Sequence, residues 1–77
     1  MQHRVTSVIH TTTGHEVIRE EGTSPSIPGA ESLGLWVIDA IRHDPQLMET
    51  MHYVDILIDG RACMSCDFSD PHTEDQW

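Results

Sequence analysis

Cys63 and Cys66 are the residues best suited to chemistry, because their C-x-x-C spacing is used by redox and zinc sites. They lie in residues 61–68, where alternating apolar residues predict a strand. Residues three apart on a strand point to opposite faces, with α-carbons about 10 Å apart. Two such sulfurs cannot share a metal ion or form a disulfide, which requires α-carbons within about 7 Å. We therefore expect a structural role, and keep a small metal-binding or thiol protein as an alternative.

Histidines are the next candidates, and the chain has six: His3, His10, His15, His43, His52 and His72. No two stand at i and i+4 on a predicted helix, so local geometry places no pair on one metal ion. The sequence also lacks a G-x-S-x-G motif, a phosphate-binding glycine-rich loop and H-E-x-x-H. In addition, 77 residues leave little room for a substrate pocket. We expect no enzymatic activity, no cofactor and no bound metal.

Acidic residues give the chain its most informative property, a formal net charge of −9 from 13 acidic and 4 basic residues. Most of the excess lies in residues 39–77, so the charge is unevenly distributed along the chain. Such a charge favours association with a basic protein surface, although it also serves solubility. The residues expected to contact a partner are Asp39, Asp44, Glu49, Asp55, Asp59, Asp67 and Asp70.

Several classes of function are disfavoured by what the sequence lacks. Its four arginines are scattered and it has no lysine, so direct binding to nucleic acid is not expected. No apolar run approaches the roughly 18 residues of a membrane span, and the N-terminus does not resemble a secretory signal. We expect a cytoplasmic protein. The joint absence of lysine and asparagine is typical of a GC-rich genome, such as that of a GC-rich bacterium or its phages.

The first half of the chain predicts a hairpin followed by a helix. Residues 4–11 and 15–20 are rich in β-branched residues around a turn, residues 21–29 form a loop, and residues 30–43 have helical periodicity. The predicted apolar stripe of this helix consists of Leu33, Trp36, Val37, Ala40 and Ile41. Trp36, at mid-helix, is expected at the centre of the core.

The second half predicts a short helical turn and a second hairpin. Asp44-Pro45 is a good N-cap and first residue for a short helix. Residues 53–59 and 61–68 predict two strands joined at Asp59-Gly60. We expect a loop with an odd number of residues, because that register pairs apolar residues of both strands on one face. The pairs so predicted are Ile56 with Ala62 and Val54 with Met64.

Together these elements predict an α+β domain over residues 1–68, in the order β-β-α-β-β with a short extra helical turn after the main helix. One helix packs on one face of a small antiparallel sheet. Residues 69–77 are expected to be an acidic, flexible tail.

For function, we expect a small acidic non-enzymatic protein that docks on a basic protein and inhibits or modulates it. A nucleic-acid-binding protein is one candidate for that basic partner. The size and charge resemble those of phage and mobile-element inhibitors, such as anti-CRISPR, anti-restriction and antitoxin proteins, without a shared motif. Besides the metal-binding or thiol protein, a homodimeric structural accessory protein is the other alternative.

Overall fold

The computed structural model of the chain describes residues 1–68, which form one sheet and two helices. In chain order the elements are β1 (His3–Thr11), β2 (Glu16–Ser24), α1 (Ile27–Arg42), α2 (Pro45–Thr50), β3 (Met51–Ile58) and β4 (Arg61–Asp67). The strands form an antiparallel sheet in the order β2-β1-β3-β4, and α1 packs on one of its faces. The predicted fold class and element order are confirmed. The predicted tail, residues 69–77, lies outside the described residues.

The core lies between α1 and the face of the sheet beneath it. Side chains alternate between the two faces of a strand, so β1 and the regular part of β3 (54–58) each contribute every second residue. Met51 lies beyond an irregularity in the register with β1 and also points into the core. The buried apolar residues of these two strands are Val5, Ile9, Met51, Val54, Ile56 and Ile58. Leu33, Met64 and Phe68 pack around this cluster and are partly buried.

Trp36 is not in the core, and the prediction that it lies at the core centre is wrong. Its side chain is 68% exposed. The buried residues of α1 are Ala30, Gly34, Val37, Ile38 and Ile41. This stripe also has helical periodicity, but it is rotated relative to the predicted one.

Gly34 explains why the helix adopts this rotation. A Cβ built on Gly34 would lie 2.8 Å from Cγ2 of Ile56 and 3.1 Å from Sδ of Met64. The helix therefore approaches the sheet closely through its small residues, Ala30 and Gly34. A tryptophan facing the sheet would hold the two layers apart, so Trp36 lies outside.

The β3–β4 connection differs from the predicted odd-numbered loop. Ile58 pairs with Arg61, so the turn consists of Asp59 and Gly60 alone, both with positive φ (55° and 82°). A bulge in β4 then shifts the register, and Ile56 pairs with Met64. The predicted pairs of Ile56 with Ala62 and of Val54 with Met64 are therefore wrong.

The bulge achieves what the odd loop was expected to achieve. Cys63 has no partner in the register because Leu57 pairs with Ala62 and the next pair joins Ile56 to Met64. One extra residue reverses the alternation of the strand. Met64 and Cys66 consequently pack against the core, whereas Ala62 is exposed.

The largest differences between predicted and observed element boundaries are in β2 and α1, and β3 also begins two residues earlier than predicted. β2 continues to Ser24, and α1 begins at Ile27 rather than at residue 30. The Oγ of Ser26 caps α1 by accepting a hydrogen bond from the N–H of Gly29 at 3.1 Å. Within the described residues, neither helix has the length and apolar character required to cross a bilayer.

Candidate functional site

The face of the sheet opposite α1 is covered by no element of residues 1–68, and we call it the open sheet face. Cross-strand partners in an antiparallel pair share a face, so the registers define its members. Its residues on β2, β1 and β3 are Glu16, Ile18, Glu20, Thr6, Val8, His10, Tyr53, Asp55 and Leu57. Its centre is partly apolar and its β2 side is acidic.

His10 links three strands on the open sheet face. Its ring stacks on Tyr53 with centroids 4.0 Å apart. Its Nε2 lies 3.2 Å from a carboxylate oxygen of Asp55, and its Nδ1 lies 3.5 Å from one of Glu16. Neutral imidazole carries one N–H and imidazolium two, so only the protonated ring donates toward both carboxylates. No group of three or more metal-ligating side chains occurs in the described part of the chain.

Asp55 and Asp59 are four residues apart but do not form a regular row of carboxylates. Asp55 lies within β3, beside His10, whereas Asp59 lies past the strand end in the turn. Asp59 accepts hydrogen bonds from the backbone N–H of Arg4 at 3.0 Å and contacts Nδ1 of His3 at 2.7 Å. The hydrogen bond from His3, followed by that from Arg4, holds the pKa of Asp59 below its ordinary value of 3.8.

The other predicted contact residues are spread over the molecule. Asp39 is exposed on α1 and lies 3.6 Å from Nδ1 of His43. Asp44 caps α2 by accepting from the N–H groups of Gln46 and Leu47, as its sequence context predicts. These acidic residues are therefore not gathered into one patch. Of the remainder, Glu49 is exposed on α2, Asp67 pairs with Tyr53 at the end of β4, and Asp70 lies outside the described residues.

A groove between α1 and β2 is the second notable surface, and we call it the α1–β2 groove. Its volume is about 160 Å³. Its lining residues are Arg19, Glu21, Trp36, Val37, Ala40, Ile41, Asp44 and Leu47. The groove is therefore apolar on its helix side. On its strand side Glu21 accepts from Oγ of Ser7 at 2.6 Å and lies 3.5 Å from Nε of Arg19.

Exposed apolar side chains are concentrated on the two elements that border this groove, although only Trp36 lines it. Apart from Met1, the large exposed apolar residues of the described chain are Val17, Ile18, Ile27, Leu35 and Trp36. All of them lie on β2 or α1. This surface was not predicted from the sequence, because the predicted apolar stripe of α1 placed Trp36 in the core. The apolar residues of α1 exceed what one stripe can hold, and that excess is the sequence feature that indicates a second apolar surface.

The two cysteines do not form a disulfide. Cys63 is exposed at the bulge, whereas Cys66 is half-buried against the core. The Sγ of Cys66 accepts a long hydrogen bond from Nη2 of Arg42 at 3.6 Å.

Comparison with protein-family models, with curated proteins and with solved structures finds no match for this chain.

Proposed function

We propose that this chain is a non-enzymatic, cytoplasmic binding protein of bacterial or phage origin that docks on a basic protein and inhibits or modulates it. The observation that supports the proposal is its charge. Three of the thirteen acidic residues lie beyond residue 68, which leaves ten in the described fold against four arginines. Arg4 lies 3.4 Å from Glu20 and Arg19 lies 3.5 Å from Glu21, so both of these cations are already close to carboxylates. The surface is thus left strongly negative.

A protein partner fits these surfaces better than a small substrate does. The α1–β2 groove, at about 160 Å³, is smaller than the roughly 300 Å³ of the smallest ordinary ligand pockets. The open sheet face is a surface rather than a cleft. Carboxylates spread over such surfaces create a field that accelerates encounter with a basic protein, and salt weakens that field.

Affinity capture followed by titration tests the proposal. The tagged chain would be incubated with bacterial lysate at about 50 mM and about 500 mM salt, conditions that differ strongly in screening. Captured proteins would be identified, purified and titrated against the chain. We expect a partner with a basic surface, whose association rate falls at least about tenfold between the two salt concentrations.

A variant with fewer charges provides the matched comparison. Glu31 and Glu49 are exposed and lie on α1 and α2, so E31Q/E49Q changes the net charge from −9 to −7 with little effect on packing. Its association with the partner at low salt should be slower than that of the wild type. A captured partner whose association depends on neither salt nor this substitution would contradict the proposal.

A further inference from the structure

We propose that the free edge of β2 and the α1–β2 groove together bind an extended basic segment of the partner, which joins the sheet as a fifth strand. This inference rests on the proposed function, for which it names the surface and the form of the bound segment. Three features of the described residues support it: an unpaired strand edge, an apolar groove beside that edge, and glutamates on the opposite side of the same strand.

The first feature is the backbone of β2. Among residues 1–68 this strand pairs with β1 alone, so its outer edge presents unpaired N–H and C=O groups. An extended peptide can bind such an edge through main-chain hydrogen bonds. A bulge at Glu21 interrupts the register with β1. The regular part of the edge is therefore residues 16–20, which is long enough to pair with a segment of about five residues.

The second feature is the position of the groove. α1 packs more over β1 and β2 than over β3 and β4, so the helix lies near the β2 edge. In a strand added to that edge, every second side chain would point to the helix side of the sheet. These side chains would meet Trp36, Val37 and Leu47 in the groove. Trp36 is 68% exposed and tryptophan is enriched in binding hot spots, so we expect it to anchor the segment.

The third feature is charge on the other side of β2. Glu16 and Glu20 lie on the open sheet face with Ile18 between them. The remaining side chains of an added strand would lie beside these carboxylates, where arginine or lysine forms favourable cross-strand pairs. The bound segment should therefore alternate apolar and basic residues.

Charge also argues against a second copy of this chain as the occupant. Two β2 edges brought together would juxtapose Glu16 and Glu20 of each copy on the open sheet face. Like charges in cross-strand positions are destabilising. The other free edge, β4, has no large exposed apolar residue within the described chain. The β2 edge with a basic segment is thus the combination that both charge and apolar surface favour.

A pair of synthetic peptides tests the inference. The probe is a capped hexapeptide of alternating arginine and valine, and the control is the same sequence with every backbone amide N-methylated. Both peptides carry the same charge, but the control lacks the N–H groups that a strand needs. Binding would be followed by Trp36 fluorescence in the W77F variant, in which Trp36 is the only tryptophan. Amide hydrogen exchange would be measured in the unmodified chain.

We expect the probe to bind at least about tenfold more tightly than the control and to slow exchange of β2 amides but not of β4 amides. By amide exchange, W36A should weaken binding about tenfold, as expected for a hot-spot residue. The matched variant is L35A, since Leu35 is 62% exposed on α1 but does not line the groove. This variant should bind like the wild type. Circular dichroism would check the folding of both.

The outcomes separate this inference from the proposed function. Equal affinities for the two peptides, or probe binding without protection of β2 amides, would overturn strand addition. A probe that does not bind would overturn it as well. In each of these cases a basic partner captured with salt-dependent affinity would leave the proposed function standing. Loss of that salt dependence would overturn the proposed function itself.

Discussion

Asp59 stabilises the β3–β4 turn through its charge as well as its backbone. Its pKa is lowered by the hydrogen bonds from His3 and Arg4. A group whose pKa is lower in the folded state stabilises the fold above its unfolded pKa and loses that effect as the pH falls through the folded value. We therefore expect D59N, which keeps a residue suited to positive φ, to be less stable than wild type at pH 5. This difference should shrink as the pH falls below 3.8.

The comparison requires urea unfolding of both proteins between pH 5 and pH 2. His3 is the largest cause of the lowered pKa, so the same measurement in an H3A background, which removes that side-chain donor, provides the control. There the pH dependence of the difference should be smaller, while the hydrogen bond from the N–H of Arg4 remains. A difference between wild type and D59N that is constant across this range would show that the charge of Asp59 does not stabilise the turn.

Single residues also show what local sequence can and cannot predict. The cap formed by Asp44 is predictable because a capping residue bonds to backbone groups two and three positions away. The exposure of Trp36 is not predictable in this way, because it depends on Ile56 and Met64, which lie about 20 to 30 residues further along the chain and contact Gly34. Helical periodicity fits both stripes of α1, and only the sheet surface distinguishes them.

At the level of elements, close packing of α1 on the sheet depends on Gly34. In an exposed helix position, replacing glycine with alanine stabilises by about 0.5–1 kcal/mol. Here the added methyl group would lie 2.8 Å from Cγ2 of Ile56, a fully buried side chain. We expect G34A to destabilise the protein by about 1–3 kcal/mol, the usual cost of overpacking, in urea unfolding at neutral pH.

A nearby alanine substitution shows whether the loss of stability expected for G34A arises from packing against the sheet. Ser32 is exposed on the same helix, so S32A adds helix propensity without entering the interface. This variant should be as stable as wild type or more stable by a few tenths of a kcal/mol. If G34A were also stabilised, the helix would not be held as close to the sheet as the structure indicates.

In the second hairpin, the apolar residues of β3 and β4 share a face because of a bulge in β4 rather than the predicted odd-numbered loop. The sequence predicts that the apolar residues of β3 and β4 share one face, and most of them do. Asp59-Gly60 accommodates a two-residue turn because both residues adopt positive φ. The correction of register is made instead by the bulge at Cys63. Nothing in the local sequence marks that residue, because any residue type can occupy a bulge when the strands beside it require one.

For the whole molecule, the same few features explain both its fold and its surface. One helix covers one face of four strands, so the other face and two strand edges remain uncovered within residues 1–68. The fold class follows from the order of elements, which local patterns predict well. The surfaces follow from the rotation of α1 and the register of the strands, and local sequence patterns do not predict these two features. The docking sites of such a small domain are therefore less predictable than its fold.

Acidic residues on β2 should also keep the free edge from pairing with other copies. Charged side chains on an edge strand are a common protection against edge-to-edge association. We expect E16Q/E20Q to self-associate as its concentration is raised, with the mass in sedimentation experiments rising from 8.7 kDa toward twice that value. The wild type should remain a single chain at low salt.

The E31Q/E49Q variant has the same net charge as E16Q/E20Q but an unchanged β2 edge, so it should also remain a single chain. If both variants associated equally, overall charge rather than the β2 edge would control self-association. If neither associated, the glutamates would not be protecting this edge, and their position beside the groove would be explained by partner binding alone.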